Sequence, residues 1–273
     1  MKIWEILEKA DAYCPPAWAE DWDNCGLQIG DVERETEGVL VCLDVDAYAV
    51  SDAIVNRCGL IVSHHPLLFD PVRAIDEATP AGRLIARILR ERLTVFSMHT
   101  NLDRIRGGVS DQLAWRMGLE PGAPIAPYPP AETGGDPAQP AGFGRICIPG
   151  PGLRMLDLES RARGLPGADG FFRNYRTDGP ATRIAVMGGS FPDEHLDDLV
   201  RLGCDALVTG EIGYHDSQTL GWRGIRVLAI GHAVSESPVL EPLAHFFSST
   251  IPEVRWTVHQ GGWDICPEVR RDV

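Results

Sequence analysis

The sequence predicts an α/β protein made of two interlinked, pseudo-repeated α/β domains with a metal site in the cleft between them. Three observations predict it. Short β-branched runs stop abruptly at His, Asp or Gly, amphipathic helical stretches separate them, and the same strand, helix, strand, helix, strand order occurs twice along 273 residues.

Each element follows from its local pattern. Ile3, Ile6, Leu7 and Ala10 share one helical face, and Pro15-Pro16 ends that helix. Trp22 to Asp31 is dense in turn formers and reads as a loop feeding an edge strand, with a plain structural turn as its simplest role. Val39 to Leu43 is a strand ending at Asp44 and Asp46, followed by a helix through Asn56. Leu60-Ile61-Val62-Ser63 is a core strand running into His64 and His65, and Pro66, with no N–H to give, closes the ladder. A loop from Asp70 to Pro80 precedes a helix over Arg83 to Arg92. The strand Leu93 to Met98 then runs into His99-Thr100-Asn101-Leu102-Asp103, and Asp111 to Met117 forms a further helix.

Glu120 to Pro140 is rich in Pro, Gly and Ala without apolar periodicity, which makes residues 123–140 the expected linker between a first half, 1–122, and a second, 141–273. The C-terminal part of the second half is expected to pack back on the first. Beyond the linker, Gly142 to Ile148 is a strand, Leu153 to Arg163 a helix, and Arg183 to Met187 a strand ending at Gly188-Gly189. A helix over Asp193 to Leu202 leads to the strand Ala206 to Thr209, which ends at Gly210-Glu211 with Tyr214 and His215 close behind. A helix through Leu220 leads to Arg226 to Ile230, which ends at Gly231-His232 with Ser235-Glu236 following.

The halves align. Val39-Leu40-Val41 matches Ile184-Ala185-Val186, and Ile61-Val62-Ser63 matches Leu207-Val208-Thr209. Val95-Phe96-Ser97 matches Leu228-Ala229-Ile230, which sets His99 beside His232. The first two strands begin 22 residues apart in one half and 23 in the other. His64, His65, His99, Asp103, His232 and Glu236 therefore all stand at strand ends, where open α/β sheets bind their ligands.

Imidazoles and carboxylates form a mixed N/O donor set that suits Zn, Fe, Mn, Co or Ni as divalent ions. His64, His65, Asp103, His232 and Glu236 are the expected ligands, in sufficient number for two ions per chain that would ionise a water for hydrolysis. His99 orients Asp103, contacts substrate or closes a turn. Glu211 and His215 are candidate acid/base groups or substrate contacts, with helix capping and a surface position as their plainer roles.

Composition excludes several classes. The formal net charge of −14 disfavours nucleic-acid backbones and anionic membranes, so no nucleic-acid or membrane partner is expected and bound cations would be the local site for an anion. No apolar run approaches the ~20 residues of a membrane span and no signal pattern opens the chain, which places it in the cytoplasm. The seven cysteines are scattered, without a C-x-x-C pair, and read as buried small hydrophobes. No G-x-S-x-G elbow or phosphate loop is present in the sequence.

Asp23-Asn24-Cys25-Gly26-Leu27, Ser63-His64-His65-Pro66, His99-Thr100-Asn101-Leu102-Asp103, Thr209-Gly210-Glu211 with His215, and Gly231-His232 with Ser235-Glu236 together resemble the Nif-three-like family, the GTP cyclohydrolase I type 2 homologues. The resemblance spans about residues 3 to 260. It implies a dinuclear centre on His64, His65, Asp103, His232 and Glu236, with Glu236 bridging, and a ring-shaped homohexamer. It also implies hydrolysis of a C–N bond in a purine nucleotide or related cyclic amide, with metal handling or a regulatory, scaffolding role as the alternative. The chain looks like the short form, without a mid-chain ferredoxin-like insertion. Ala233 stands where members commonly carry an aromatic residue.

Overall fold

The computed structural model describes residues 1–128, 141–259 and 261, so positions 129–140 of the expected linker and Cys266 lie outside the described residues. In chain order the elements of the first part are α1 (Ile3–Tyr13), β1 (Gly26–Ile29), β2 (Gly38–Cys42), α2 (Ala47–Val55), β3 (Leu60–Ser63), α3 (Pro80–Arg90), β4 (Thr94–Ser97) and α4 (Thr100–Arg104). There follow α5 (Val109–Arg116), β5 (Ala126–Pro127), β6 (Gly142–Phe143), β7 (Arg145–Cys147), α6 (Met155–Ala162), β8 (Phe172–Arg173) and β9 (Ile184–Phe191). The last part holds α7 (Leu196–Arg201), β10 (Ala206–Ile212), α8 (Tyr214–Trp222), β11 (Arg226–Ala229), α9 (His232–Glu236), α10 (Leu240–Thr250) and β12 (Arg255–Val258).

Two compact units result, Met1–Asn101 with Leu240–Val273, and Leu102–Val239. The first is a five-stranded sheet in the order β1-β4-β3-β2-β12. Strands β2, β3 and β4 are parallel and buried along their whole length, which is why they read as unbroken apolar runs. Their side chains Leu40, Ile61 and Val95 pack with Ala49, Val50 and Ala53 of α2 and Ile88 of α3. Burying each larger side chain of that set contributes roughly 1.5–3 kcal/mol. Asp46 starts α2 by accepting from the Ala49 N–H at 2.7 Å, and Thr79 with Pro80 starts α3. The C-terminal strand β12 lies parallel to β2, and β1 runs antiparallel to β4.

The second unit has the order β7-β9-β10-β11-β8 and repeats that plan except at one edge, where β7 runs antiparallel to β9 while β12 runs parallel to β2. Its parallel centre is β9, β10 and β11, and β8 runs antiparallel to the third strand as β1 does in the first unit. The ladders correct the alignment of the third strands by one residue. Ile61 pairs with Val95, and its counterpart Leu207 pairs with Val227, not Leu228. His99 therefore immediately precedes α4, whereas His232 opens α9, and the two histidines are not equivalent positions.

Composition places the boundary at 123–140, but the contacts divide the chain after Asn101. The reason is α5, whose Leu113 and Ala114, with Met117 just beyond it, are buried with Val186, Val208 and Leu228 in the second unit's core. The expected strand Gly142 to Ile148 is two strands broken at Gly144, whose φ of +61° suits glycine and interrupts the pleat. β9 continues past Met187 to Phe191 and β10 past Thr209 to Ile212, so the glycines expected to end them lie within them. Among the described residues no helix is long and apolar enough to cross a membrane.

Candidate metal centre

In the first unit the ladder carries on for two residues past β3. The His64 and His65 N–H groups donate to the carbonyls of Cys42 and Leu43, and the Ser97 hydroxyl donates to the His64 carbonyl. Both imidazoles are thus set by backbone, not by a mobile loop. His99 joins them from the end of β4. The ring centroids of His64, His65 and His99 stand 4.9, 5.2 and 5.6 Å apart, and one donor-capable nitrogen from each lies within 4.8 Å of the others.

Each ring has its Nδ1 against an oxygen that can only accept. His64 Nδ1 lies 2.9 Å from the Met98 carbonyl, His65 Nδ1 2.8 Å from Asp44 Oδ1, and His99 Nδ1 2.8 Å from Asp23 Oδ1. Assigning the tautomer from that partner chemistry makes Nδ1 the protonated nitrogen and Nε2 the lone-pair nitrogen in all three. Such an outer carboxylate or carbonyl is what orients a metal-binding histidine and raises its basicity.

Asp23 is the most heavily engaged of these partners. Its carboxylate receives the His99 ring, the Thr100 N–H at 3.1 Å and hydroxyl at 2.5 Å, the Asn24 N–H at 2.8 Å and the Cys25 thiol at 2.9 Å. Burial pushes its carboxyl up, but the hydrogen bonds from His99, Cys25 and Thr100 outweigh it and hold the group well below the usual carboxylate range. Burial, with Asp23 beside it, pushes the Cys25 thiol up to about 12, so Cys25 is a protonated donor to Asp23. The Trp22 to Asp31 segment reads in sequence as a loop feeding an edge strand, with a plain turn as its simplest role, and the structure forms that strand as β1 while Asp23 holds the His99 ring. No periodicity in that segment marks Asp23, and only its membership of the Asp-Asn-Cys-Gly motif singles it out.

In the second unit His232 opens α9, behind Gly231 at φ +101°. His232 Nδ1 lies 3.1 Å from Glu211 Oε1 and its Nε2 3.2 Å from Glu236 Oε2. An imidazole between two carboxylate oxygens needs a second positive centre, either a proton or a metal cation, and this donor set fits the cation. The cradle beneath is close. The Ser235 hydroxyl donates to the His232 carbonyl at 2.7 Å and accepts from Gly189 N–H at 2.9 Å, and a Cβ at Gly189 would run into Glu236 Oε1. Glu236 is buried at 4% exposure, a position a carboxylate occupies only with compensation.

The remaining candidates fall as follows. Asp103 is half-buried on α4. Glu211 is exposed and serves as the partner of His232, so it holds a ring in place. His215 is exposed on the first turn of α8, with its ring 5.3 Å from that of Tyr214. Asp44 orients His65 while Asp46 caps α2, which separates two carboxylates that look alike in sequence. His195 pairs with Asp198 at 3.1 Å, and His259, directly after β12, pairs with Asp52 at 2.6 Å.

Comparison with known proteins follows the same outline. The family model described as Duf34/NIF3 (NGG1p interacting factor 3) matches residues 1–261. A Clostridium perfringens protein named GTP cyclohydrolase 1 type 2 homolog is 30% identical over 244 residues, covering 88% of each chain. Among solved structures, a Staphylococcus aureus hypothetical protein is similar with a TM-score of 0.84 at 26% identity, covering 98% of this chain and 99% of that one. A Bacillus cereus protein related to NIF3 shares the fold, with a TM-score of 0.83 at 19% identity and 98% of both chains covered.

Proposed function

The chain belongs to the Duf34/NIF3 family, and on that premise we propose that it binds two divalent metal ions through His64, His65, Asp103, His232 and Glu236 and hydrolyses a C–N bond of a purine nucleotide or related cyclic amide. One observation carries this reading. His64, His65 and His232 each have Nδ1 committed to a carbonyl or carboxylate, which turns Nε2 into a ligand nitrogen. Zn, Fe, Mn, Co and Ni all suit that donor set, and when bound such ions supply Lewis acidity and lower the pKa of water.

The chain's own residues do the rest. His99, beside the His64 and His65 rings and held by Asp23, is placed to move a proton to or from a substrate nitrogen. Asp23, Asp44 and Glu211 are positioning residues that fix the rings of His99, His65 and His232. His215, exposed on α8, serves as a substrate contact.

Elemental analysis of protein purified without added metal, followed by incubation with GTP, other nucleotides and cyclic amides, tests the reading. Two ions per chain and product formation that is absent in His65→Ala are the expected results. Metal at that stoichiometry with no turnover, but with transfer to an acceptor protein, would replace hydrolysis by metal handling. A mass by light scattering equal to six times the 29.9 kDa chain is the expectation for a homohexamer.

A further inference from the structure

The loop that carries Asp23 also carries Trp22, and the loop after His65 carries Phe69. Trp22 is 61% exposed and Phe69 is 53% exposed, an unfavourable state for two large aromatic side chains. Their ring centroids stand 5.8 Å apart at an interplanar angle of 55°, an open V and not a stack. The His99 ring lies 6.2 Å from each of them, nearly perpendicular to both at 77° and 81°. Three rings therefore form one corner, and its third wall is the imidazole of the histidine cluster.

The corner is held in place by polar side chains. Asn24 Nδ2 donates to the Leu68 carbonyl at 2.6 Å, the Leu68 N–H donates to Gln28 Oε1 at 3.1 Å, and Gln28 Nε2 donates to the Asn24 carbonyl at 2.5 Å. Gln28 is 9% exposed, so this link between the two loops is largely out of water. A buried amide that ties two loops together keeps two exposed rings at a set spacing, and ordering groups in that way opposes the chain's entropy.

We propose that Trp22 and Phe69, in contact with each other, form a one-sided aromatic clamp on whose exposed faces the planar heteroaromatic ring of a small ligand stacks with its edge toward His99. The proposal rests on the metal-site reading above and names the feature of the substrate that the chain grips. Aromatic faces bind any planar base by stacking, and they do so beside, not through, the ligand nitrogens. Two rings and one imidazole, tied together by a hydrogen-bonded amide, match the footprint of a single planar ring.

Calorimetric titration of the metal-loaded full chain with guanosine, with GTP, and with inorganic triphosphate as the ringless probe tests the clamp. Trp22→Ala and Phe69→Ala are expected to weaken guanosine and GTP by about 10- to 100-fold, to leave inorganic triphosphate unchanged, and to keep the metal content. Trp22→Phe is expected to retain most of the affinity. Equal losses for ringed and ringless probes would overturn the clamp. So would ringed probes that bind the alanine variants as they bind the parent, or fail to bind the parent, and so would a changed assembly mass in either variant. The two readings fail separately. Ring-dependent binding in a chain that takes up no metal sinks the metal site and leaves the clamp, whereas full metal content with no ring dependence does the reverse.

Discussion

Arg145 and Asp111 meet at 2.6 Å inside the second unit with essentially no solvent reaching either side chain. The guanidinium also donates to the carbonyls of Gly142, Gly144 and Ile105, so four hydrogen bonds hold the ion. Asp111 in turn receives the Gly107 N–H. Arg145→Met is expected to destabilise the chain by about 3–5 kcal/mol, because it leaves Asp111 charged and buried with much of its compensation lost. The double variant Arg145→Met, Asp111→Leu should lose clearly less than the sum of the two single changes. Urea unfolding of the four proteins, followed by tryptophan fluorescence, checks the non-additivity. Additive losses would mean that the pair does not act as a unit.

The His65 orientation rests on Asp44. Asp44→Ala should lower metal affinity by about 10- to 100-fold while leaving the far-ultraviolet circular dichroism spectrum unchanged. Competition with a chromogenic chelator measures the affinity. Asp46→Ala, two residues on, is expected to act in the opposite manner: it removes the α2 cap, costs about 1 kcal/mol of stability and leaves metal affinity alone.

Gly189→Ala places a methyl group where Glu236 Oε1 now lies, at a φ of +70° that side chains resist. The expected result is a cost of about 1–2 kcal/mol together with loss of metal content. Elemental analysis reads the second effect. A variant that is destabilised but holds its full complement of metal would exclude Glu236 from the ligand set.

Glu159, buried on α6, accepts from Tyr175 at 2.6 Å and from Arg173 at 2.8 Å. Burial raises its carboxyl, but the Tyr175 and Arg173 hydrogen bonds and the neighbouring arginine charges bring it below its ordinary value. A carboxyl depressed in the folded state contributes stability above its unfolded pKa of ~4.3 and loses that contribution as pH falls through the folded value. Glu159→Gln should therefore cost on the order of 1 kcal/mol at pH 7, a small figure because Arg163 and Arg173 are 63% and 49% exposed. The gap between variant and parent should close on acidification below ~4. Urea midpoints at several pH values check it, and a gap that widens in acid would reverse the sign.

Much of this was legible in the chain itself. Buried parallel strands are continuous apolar runs, so β2, β3, β4, β10 and β11 stand out from their β-branched content, as does the repeat that relates them. Histidines placed directly after such runs mark strand ends. Short strands at sheet edges carry no such signal: β8 has two exposed residues, and the four residues of β12 are not buried. The division after Asn101 was hidden for a different reason, since the Pro- and Gly-rich stretch that composition selects lies inside the second unit's span.

The sequence by itself determined the fold class, the order of the central strands and the histidines that directly follow β3 and β4, because those depend on periodicity and on where an apolar run stops. Only the tertiary structure decided which carboxylate serves which ring: Asp23 for His99, Asp44 and not Asp46 for His65, and Glu211 for His232. It also made His99 and His232 non-equivalent positions of the repeat and stood Trp22 and Phe69 beside the His99 imidazole. Those pairings join residues 21 to 76 positions apart, and a hydrogen bond of that reach is fixed by ladder register and loop anchoring, which no local pattern encodes.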